Sequence, residues 1–264
     1  MSITVTQLRK FKEQGRKFAA LTAYDASFAR LMDEAGIEVL LVGDSLGMVV
    51  QGQESTVPVT MDHMVYHTQL VRRGAAHALV MADMPFLSYA TPEQALRNAG
   101  RLMQEGGAQM VKLECTSDDV AIVRHLTRHG VPVCVHLGLL PQTVYKLGGY
   151  KVQGRGEEAA DAMVRDAQAF EQAGADVLLL ESIPRSLGAT ITRSLGIPVI
   201  GIGAGPECDG QVLVAYDMLG ITPGKRPKFS KDFLAAAGSV PAALAAYAAA
   251  VKDGSFPAPE HCFE

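Results

Sequence analysis

"QMVKLECTS" occupies residues 109–117, and its first six residues read as a short apolar strand that carries one lysine and one glutamate. Side chains alternate between the two faces of a strand, so Lys112 and Glu114 share one face while Val111 and Leu113 share the other. A strand that is apolar on one side and charged on the other must turn its charged side toward something other than a hydrophobic core, because a buried charge without a partner is costly.

The same design recurs along the chain. "EVLLVGDS" (38–45), "ALVMADMPF" (78–86) and "DVLLLES" (176–182) are apolar runs that lead to Asp44, Asp83 and Glu181, as "QMVKLE" (109–114) leads to Glu114. "KFAALTAYD" (17–25), "PVCVHLG" (132–138) and "PVIGIGAG" (198–205) complete seven strand-like runs, and "QVLVAYD" (211–217) is an eighth. Between them lie helical stretches with readable edges. "SFARLMDEAG" (27–36) stops at a glycine, "TPEQALRNAGRLMQEGG" (91–107) opens with Thr then Pro, and "EEAADAMVRDAQAFEQAG" (157–174) ends at Gly174.

Strands alternating with helices imply a parallel sheet, and continuous apolar strands imply burial on both faces. Eight such units in roughly 250 residues describe a (β/α)8 TIM barrel. A doubly wound open sheet is the rival architecture. No linker or shift of composition divides the 264 residues, which points to a single domain over 1–264 with a short N-terminal helix. An alanine-rich terminal helix in "GSVPAALAAYAAAVKDGSF" (238–256) and a tail, "PAPEHCFE", close it.

The chain is 48% hydrophobic and 20% charged, enough to bury one large core. A net charge of -4, with no basic run longer than Arg72-Arg73, excludes a nucleic-acid stripe and a polybasic membrane patch. The four cysteines (115, 134, 208 and 262) lack metal-binding spacing and read as reduced thiols of a cytoplasmic protein. No stretch has the apolar length of a signal peptide or of a spanning helix, about 18 residues.

Four strands therefore deliver Asp44, Asp83, Glu114 and Glu181 at their C-terminal ends, and in a barrel those ends converge on one mouth. Carboxylates gathered there repel one another and prefer to take up protons unless a cation holds them. Oxygen-only ligands with positions left for water suit magnesium, whereas zinc recruits His or Cys. Lys112 then offers a fixed positive charge for an anionic substrate such as a carboxylate. The plainer reading is a Lys112–Glu114 pair that only fills a polar layer.

Four other features have two readings each. His136, closing the fifth strand, is a pocket residue or a satisfied core histidine. Cys115 stands where a nucleophile could act, although nothing nearby marks it as activated. "GIGAG" (201–205) is a phosphate cradle or a plain tight turn. "GLLPQTVYKLGGYKVQGRG" (138–156) is long for a βα connection and is either a lid or a wandering surface loop.

Longer blocks carry a resemblance. "LTAYD" (21–25), "VGDSLGMVVQG" (42–52), "TVPVTMDHMVYHT" (56–68), "YATPEQA" (89–95), "VKLE" (111–114), "HLGLLPQTV" (136–144), "GGYKVQGRG" (148–156) and "IPVIGIGAGPECDGQVLV" (197–214) resemble the ketopantoate hydroxymethyltransferase family over nearly the whole chain. The resemblance implies a (β/α)8 barrel that adds a hydroxymethyl group from 5,10-methylenetetrahydrofolate to 3-methyl-2-oxobutanoate. The product is 2-dehydropantoate, a precursor of pantothenate and coenzyme A. It further implies Mg2+ at Asp44, Asp83 and Glu114, the oxo acid on Asp44, Ser45, Asp83 and Lys112, and Glu181 as the catalytic base. A homo-oligomer of rings or stacked rings is implied as well, a decamer among the options. The chain departs from the family pattern at Cys115-Thr116, where glycines are expected after "VKLE", while Lys112 and Glu114 are unchanged.

The chemistry is consistent with those residues. A 2-oxo acid can chelate Mg2+ through its carboxylate and keto oxygens, and the metal then stabilises the enolate formed when the adjacent carbon loses a proton. A glutamate with a reference value of about 4.3 needs a raised pKa to remove that proton near neutrality, and Glu181 follows the apolar run "VLLL". Two other functions fit the same residues: a magnesium-dependent barrel lyase that cleaves a C–C bond of a 2-oxo acid without folate, and a non-catalytic barrel that binds a small carboxylate.

Overall fold

The computed structural model describes residues 2–264, so the first residue of the expected 1–264 domain lies outside the described residues. Eight strands run in chain order: β1 Phe18–Thr22, β2 Val39–Val42, β3 Leu79–Asp83, β4 Met110–Glu114, β5 Val133–Gly138, β6 Val177–Glu181, β7 Val199–Ile202 and β8 Gly210–Leu213. Every neighbouring pair is parallel, and β8 returns to β1 from Phe18↔Gly210 to Leu21↔Leu213, which closes the barrel. An open sheet would leave two edge strands; none is left here.

The strands are shorter than their apolar runs because the residues beyond them serve the next element. Asp25 ends the first run by capping the helix Ala26–Glu34, accepting from the N–H groups of Ser27 (2.8 Å) and Phe28 (2.9 Å). The expected eighth strand, 211–217, is corrected at its C-terminal part. β8 ends at Leu213, and the short helix Ala215–Met218 begins where Thr22 Oγ1 takes the Ala215 N–H at 2.9 Å.

Helix starts follow their local chemistry. Thr91 accepts from Gln94 N–H at the head of Pro92–Gln104, and Ser239 accepts from Ala242 N–H at the head of Val240–Asp253. Helices Met61–Gly74, Val120–Arg128, Glu157–Gln172 and Arg185–Ser194 complete most of the outer ring. Met61–Gly74 packs closely on Ala26–Glu34, because a side chain at Gly74 would stand 2.3 Å from the Ala26 carbonyl oxygen.

Phe18, Met32, Met64, Phe170 and Tyr247 are fully buried between barrel and helices. The N-terminal helix Val5–Glu13 closes the lower end of the barrel with Leu8 and Phe11, and the Arg16 guanidinium sits 4.1 Å over the Phe11 ring. The tail is not a loose extension. Phe263 bridges to Pro184, and its carbonyl accepts from Arg185 N–H at 2.8 Å, which brings the tail back to the barrel's upper end. No helix among the described residues is long and apolar enough to cross a membrane.

Candidate active site

A cavity of about 710 Å³ opens at the C-terminal ends of the strands. Asp44, Ser45, Asp83, Lys112, Glu114 and Glu181 all stand on its wall, so the structure brings every expected site residue to one place. His136 joins them from β5, opposite Glu114 in the register, while Lys112 stands opposite Asp83. Lys112 and Glu114 face inward together, as their spacing of two in a strand requires.

Asp83, Asp44 and Glu114 are each turned toward a donor of the chain. Lys112 Nζ donates to Asp83 Oδ1 at 2.5 Å, and the Asp44 N–H donates to Asp83 Oδ2 at 3.0 Å. Gln142 Nε2 donates to Asp44 Oδ2 at 2.8 Å, and the Gln142 N–H donates to Glu114 Oε2 at 2.9 Å. Ser45 Oγ lies 2.9 Å from the Tyr24 hydroxyl.

The charge balance is uneven. Burial alone would discharge Lys112, but Asp83, Asp44 and Glu114 outweigh it and hold the ammonium charged. Burial raises Asp44 above the ordinary carboxylate range, and the neighbouring Asp83 raises it further. Glu114 is pushed well up by burial and by Asp44. Glu181 is raised to about 8 by burial, with Lys112 opposing and Asp44 and Asp83 adding.

His136 does not rebalance this. Burial, then Lys112, depress its pKa well below the usual value, so the ring is neutral. Its Nε2 lies 3.4 Å from Glu181 Oε2 and its Nδ1 lies 4.0 Å from Glu114 Oε1, yet neither nitrogen makes a hydrogen bond. With a neutral ring these are polar contacts and not ion pairs. The satisfied core histidine considered from the sequence is not what stands here.

The backbone at Glu181 is held from both sides. The Leu139 N–H donates to the Glu181 carbonyl at 2.9 Å, and Ser182, the next residue, adopts a left-handed φ of 49°. A non-glycine residue in that region carries strain that the surroundings must impose. The Gln153 N–H supplies one restraint by donating to the Ser182 carbonyl at 3.0 Å.

Both Leu139 and Gln153 belong to the 138–156 segment, which roofs the cavity. It forms a tight turn at Pro141–Thr143 and a short helix at Val144–Leu147, and Tyr145 reaches Ser55 Oγ at 3.2 Å. Tyr150 and Lys151 line the cavity from the same segment, and Phe263 lines it from the tail. The wandering-loop reading is therefore set aside.

Two sequence options close. Cys115 is buried and its thiol is pushed well up by burial, so it is not a thiolate nucleophile. At "GIGAG", a side chain on Gly203 would stand 2.9 Å from Phe263 and 3.1 Å from Phe229, so the glycines serve close packing of a turn.

Among the described residues no three His, Cys, Asp or Glu side chains form a ready metal-holding group. Magnesium, however, is usually bound through one or two carboxylates with water completing its shell. Asp44 and Asp83 lie together, Glu114 is near, the donors are all oxygen, and Lys112 is the one buried lysine among the described residues of the cavity wall, where Lys151, Lys225, Arg226 and Lys228 are exposed. That set fits a hard divalent cation.

Gln142, Tyr89, Tyr24 and Phe263 carried no signal as site residues in the sequence. Gln142 lies inside "LLPQTV", where neither periodicity nor charge marks it.

A family model for ketopantoate hydroxymethyltransferase matches residues 2–259. The chain is 61% identical over 261 residues to a 3-methyl-2-oxobutanoate hydroxymethyltransferase of Alkalilimnicola ehrlichii, covering 99% of this chain and 94% of the relative. Among solved structures, 2,3-dimethylmalate lyase of the PEP mutase/isocitrate lyase superfamily is similar with TM-score 0.58 and 20% identity, over 81% of each chain. Phosphonopyruvate hydrolase in complex with oxalate and Mg2+ is similar with TM-score 0.61 and 15% identity, over 80% of this chain and 81% of that one. At these identities the two structures speak for the barrel alone.

Proposed function

The chain belongs to the ketopantoate hydroxymethyltransferase family and is a hydroxymethyltransferase; from that premise we propose that it acts on 3-methyl-2-oxobutanoate through an enolate, with 5,10-methylenetetrahydrofolate as one-carbon donor and 2-dehydropantoate as product. The observation that carries the reading is Glu181. It combines a raised pKa of about 8 with a place in the same cavity as the Lys112–Asp83 pair.

Glu181 removes the C3 proton of the oxo acid. Its raised value brings a carboxylate close to the pKa that suits a general base near neutrality. His136, neutral and 3.4 Å from Glu181 Oε2, stands beside the carboxyl without adding a positive charge that would lower its pKa. Lys112 and Ser45 hold the substrate carboxylate, the lysine as a fixed charge. Asp44, Asp83 and Glu114 are the residues that would hold Mg2+, which when bound would supply Lewis-acid stabilisation of negative charge on the substrate. The 138–156 roof excludes water from the carbanion equivalent until the donor meets it. Assembly as a homo-oligomer is part of the same proposal, and sedimentation of the purified chain tests it.

The test is hydrogen exchange. 3-Methyl-2-oxobutanoate is incubated with the protein in deuterated water, and loss of the C3 proton is followed by NMR. Exchange that needs Mg2+ and Glu181, with product formed only after the folate is added, is the expected result. Exchange that persists unchanged without metal, or in Glu181→Gln, overturns the reading. The second reading, a 2-oxo acid C–C lyase, draws on the barrel shared with 2,3-dimethylmalate lyase; it requires cleavage products with no folate present.

A further inference from the structure

Among the described residues Gln142 is the one that donates to both Asp44, two residues beyond β2, and Glu114, which ends β4, with β3 between the two strands. Its side chain is 4% exposed and every polar atom on it is used. One Nε2 proton goes to Asp44 Oδ2 at 2.8 Å and the other to the Met84 carbonyl at 2.9 Å. Oε1 accepts from the Tyr89 hydroxyl at 2.6 Å, and the backbone N–H donates to Glu114 Oε2 at 2.9 Å.

This amide has only one workable orientation. Turned over, Oε1 would face Asp44 Oδ2 and the Met84 carbonyl, two acceptors with no proton to share. Tyr89 reinforces the choice from the other side, and its hydroxyl also lies 3.0 Å from the Glu114 carbonyl, which ties the ring to the end of β4. Rigid donors of this kind fix how a carboxylate presents its remaining oxygen.

The chemistry of the donor matters as much as its place. A lysine or arginine here would neutralise the carboxylates and compete with a cation for them. An amide donates hydrogen bonds and leaves the charges intact.

We propose that Gln142 is the positioning residue of the mouth, holding Asp44 through its side-chain amide and Glu114 through its backbone N–H in the orientation that a divalent cation meets, with Tyr89 locking the amide. This rests on the reading of the mouth as a divalent-cation site.

The test uses the metal-free full-length chain and Mn2+ as a paramagnetic probe, with free Mn2+ measured by electron paramagnetic resonance. Gln142→Leu is expected to bind Mn2+ about 10–100-fold more weakly than the parent, the range usual for partners that orient metal ligands. Tyr89→Phe removes one hydroxyl and is expected to shift affinity in the same direction by less. Tyr145→Phe, on the same roof but touching Ser55 instead, is expected to bind as the parent does. A general loosening of the roof would weaken all three variants alike and overturns the proposal. Parent-like affinity in Gln142→Leu overturns it too, and if that variant does not fold, parent-like affinity in Tyr89→Phe decides against it. A parent chain that binds no Mn2+ removes the metal reading and this inference together, whereas a binding parent with unaffected variants removes only this inference.

Discussion

The two ends of the barrel treat the same residue types in opposite ways. At the lower end, acids are matched to donors and cap the starts of strands. Asp209 Oδ2 accepts from Val199 N–H, the first residue of β7, at 2.8 Å and from Lys12 Nζ at 2.8 Å. Asp176 does the same for Val133, the first residue of β5, at 3.1 Å and for Arg9 at 2.8 Å. Burial pulls Asp33 upward, yet hydrogen bonds from Ala78 and His77 outweigh it and hold the carboxyl below its ordinary range. At the upper end, Asp44, Asp83, Glu114 and Glu181 gather around one buried lysine, Lys112, and burial leaves Asp44, Glu114 and Glu181 raised. The lower end uses charge to close the fold; the upper end buries several carboxylates beside a single buried lysine.

The largest effect that separates the ends is expected at Glu181. Glu181→Gln is expected to slow C3 exchange about 10²–10⁴-fold, the range of a general base. It is not expected to destabilise the fold. A carboxyl at about 8 in the folded chain and about 4.3 when unfolded binds more protons folded than unfolded between those values. Its contribution to stability is therefore fully present below about 4.3 and is lost as pH rises through about 8. Denaturant titrations of the metal-free protein from pH 5 to 8.5 should show that decline in the parent and a shallower one in Glu181→Gln. Equal slopes would mean that Glu181 is not raised.

The lower end gives the opposite signature. Glu38 accepts from Ala19 N–H at 3.0 Å and meets Lys252 at 2.9 Å and Arg16 at 3.4 Å. Glu38→Ala strands a buried N–H and releases two solvent-reached cations, and a loss of about 1–3 kcal/mol is expected in denaturant titration. Exchange per folded molecule should be unchanged. A fall in exchange as large as that of Glu181→Gln would erase the distinction between the ends.

A smaller effect follows from the buried carboxylates. Bound as proposed, Mg2+ would compete with protons for Asp44 and Glu114, both raised, so the rise in Tm on adding Mg2+ should be larger at pH 8 than at pH 6. At a hundredfold excess over Kd the stabilisation is about 2.7 kcal/mol. Asp44→Asn should flatten the pH dependence, and a rise independent of pH in the parent would show that the cation does not displace those protons.

How much of this was legible in the sequence follows the range of the interactions involved. Asp44, Asp83, Glu114 and Glu181 are readable because a carboxylate closing an apolar run is a local pattern, and strand periodicity sets its face. Barrel closure is readable from the number of units. Gln142 is not, because its meaning lies in Asp44, 98 positions away along the chain, and in Tyr89, 53 away. Phe263 is missed for the same reason, since only the return of the tail to Pro184 brings it to the mouth. The boundary of β8 fails for a local reason with a distant cause: Thr22 captures the Ala215 N–H and starts a helix inside an apolar run.

Cys115 sharpens the comparison at its smallest scale. It follows Glu114 directly, and position alone would place it among the reactive groups of the upper end. Its side chain is 2% exposed, its N–H donates to the His136 carbonyl at 3.0 Å, and its Sγ lies 3.6 Å from the Leu113 carbonyl. Burial, then Asp119, push the thiol well above its ordinary value, so it is a small apolar side chain and not a nucleophile. Cys115→Ala is expected to lose about 1 kcal/mol of stability, typical of a modest truncation in a core, and to leave exchange unchanged. The native protein should also resist alkylation at this position by iodoacetamide, read by mass spectrometry of the peptide. Rapid labelling, or a tenfold fall in exchange in Cys115→Ala, would move Cys115 from the core into the reactive mouth, and the boundary between the two would have to be drawn one residue beyond the end of β4.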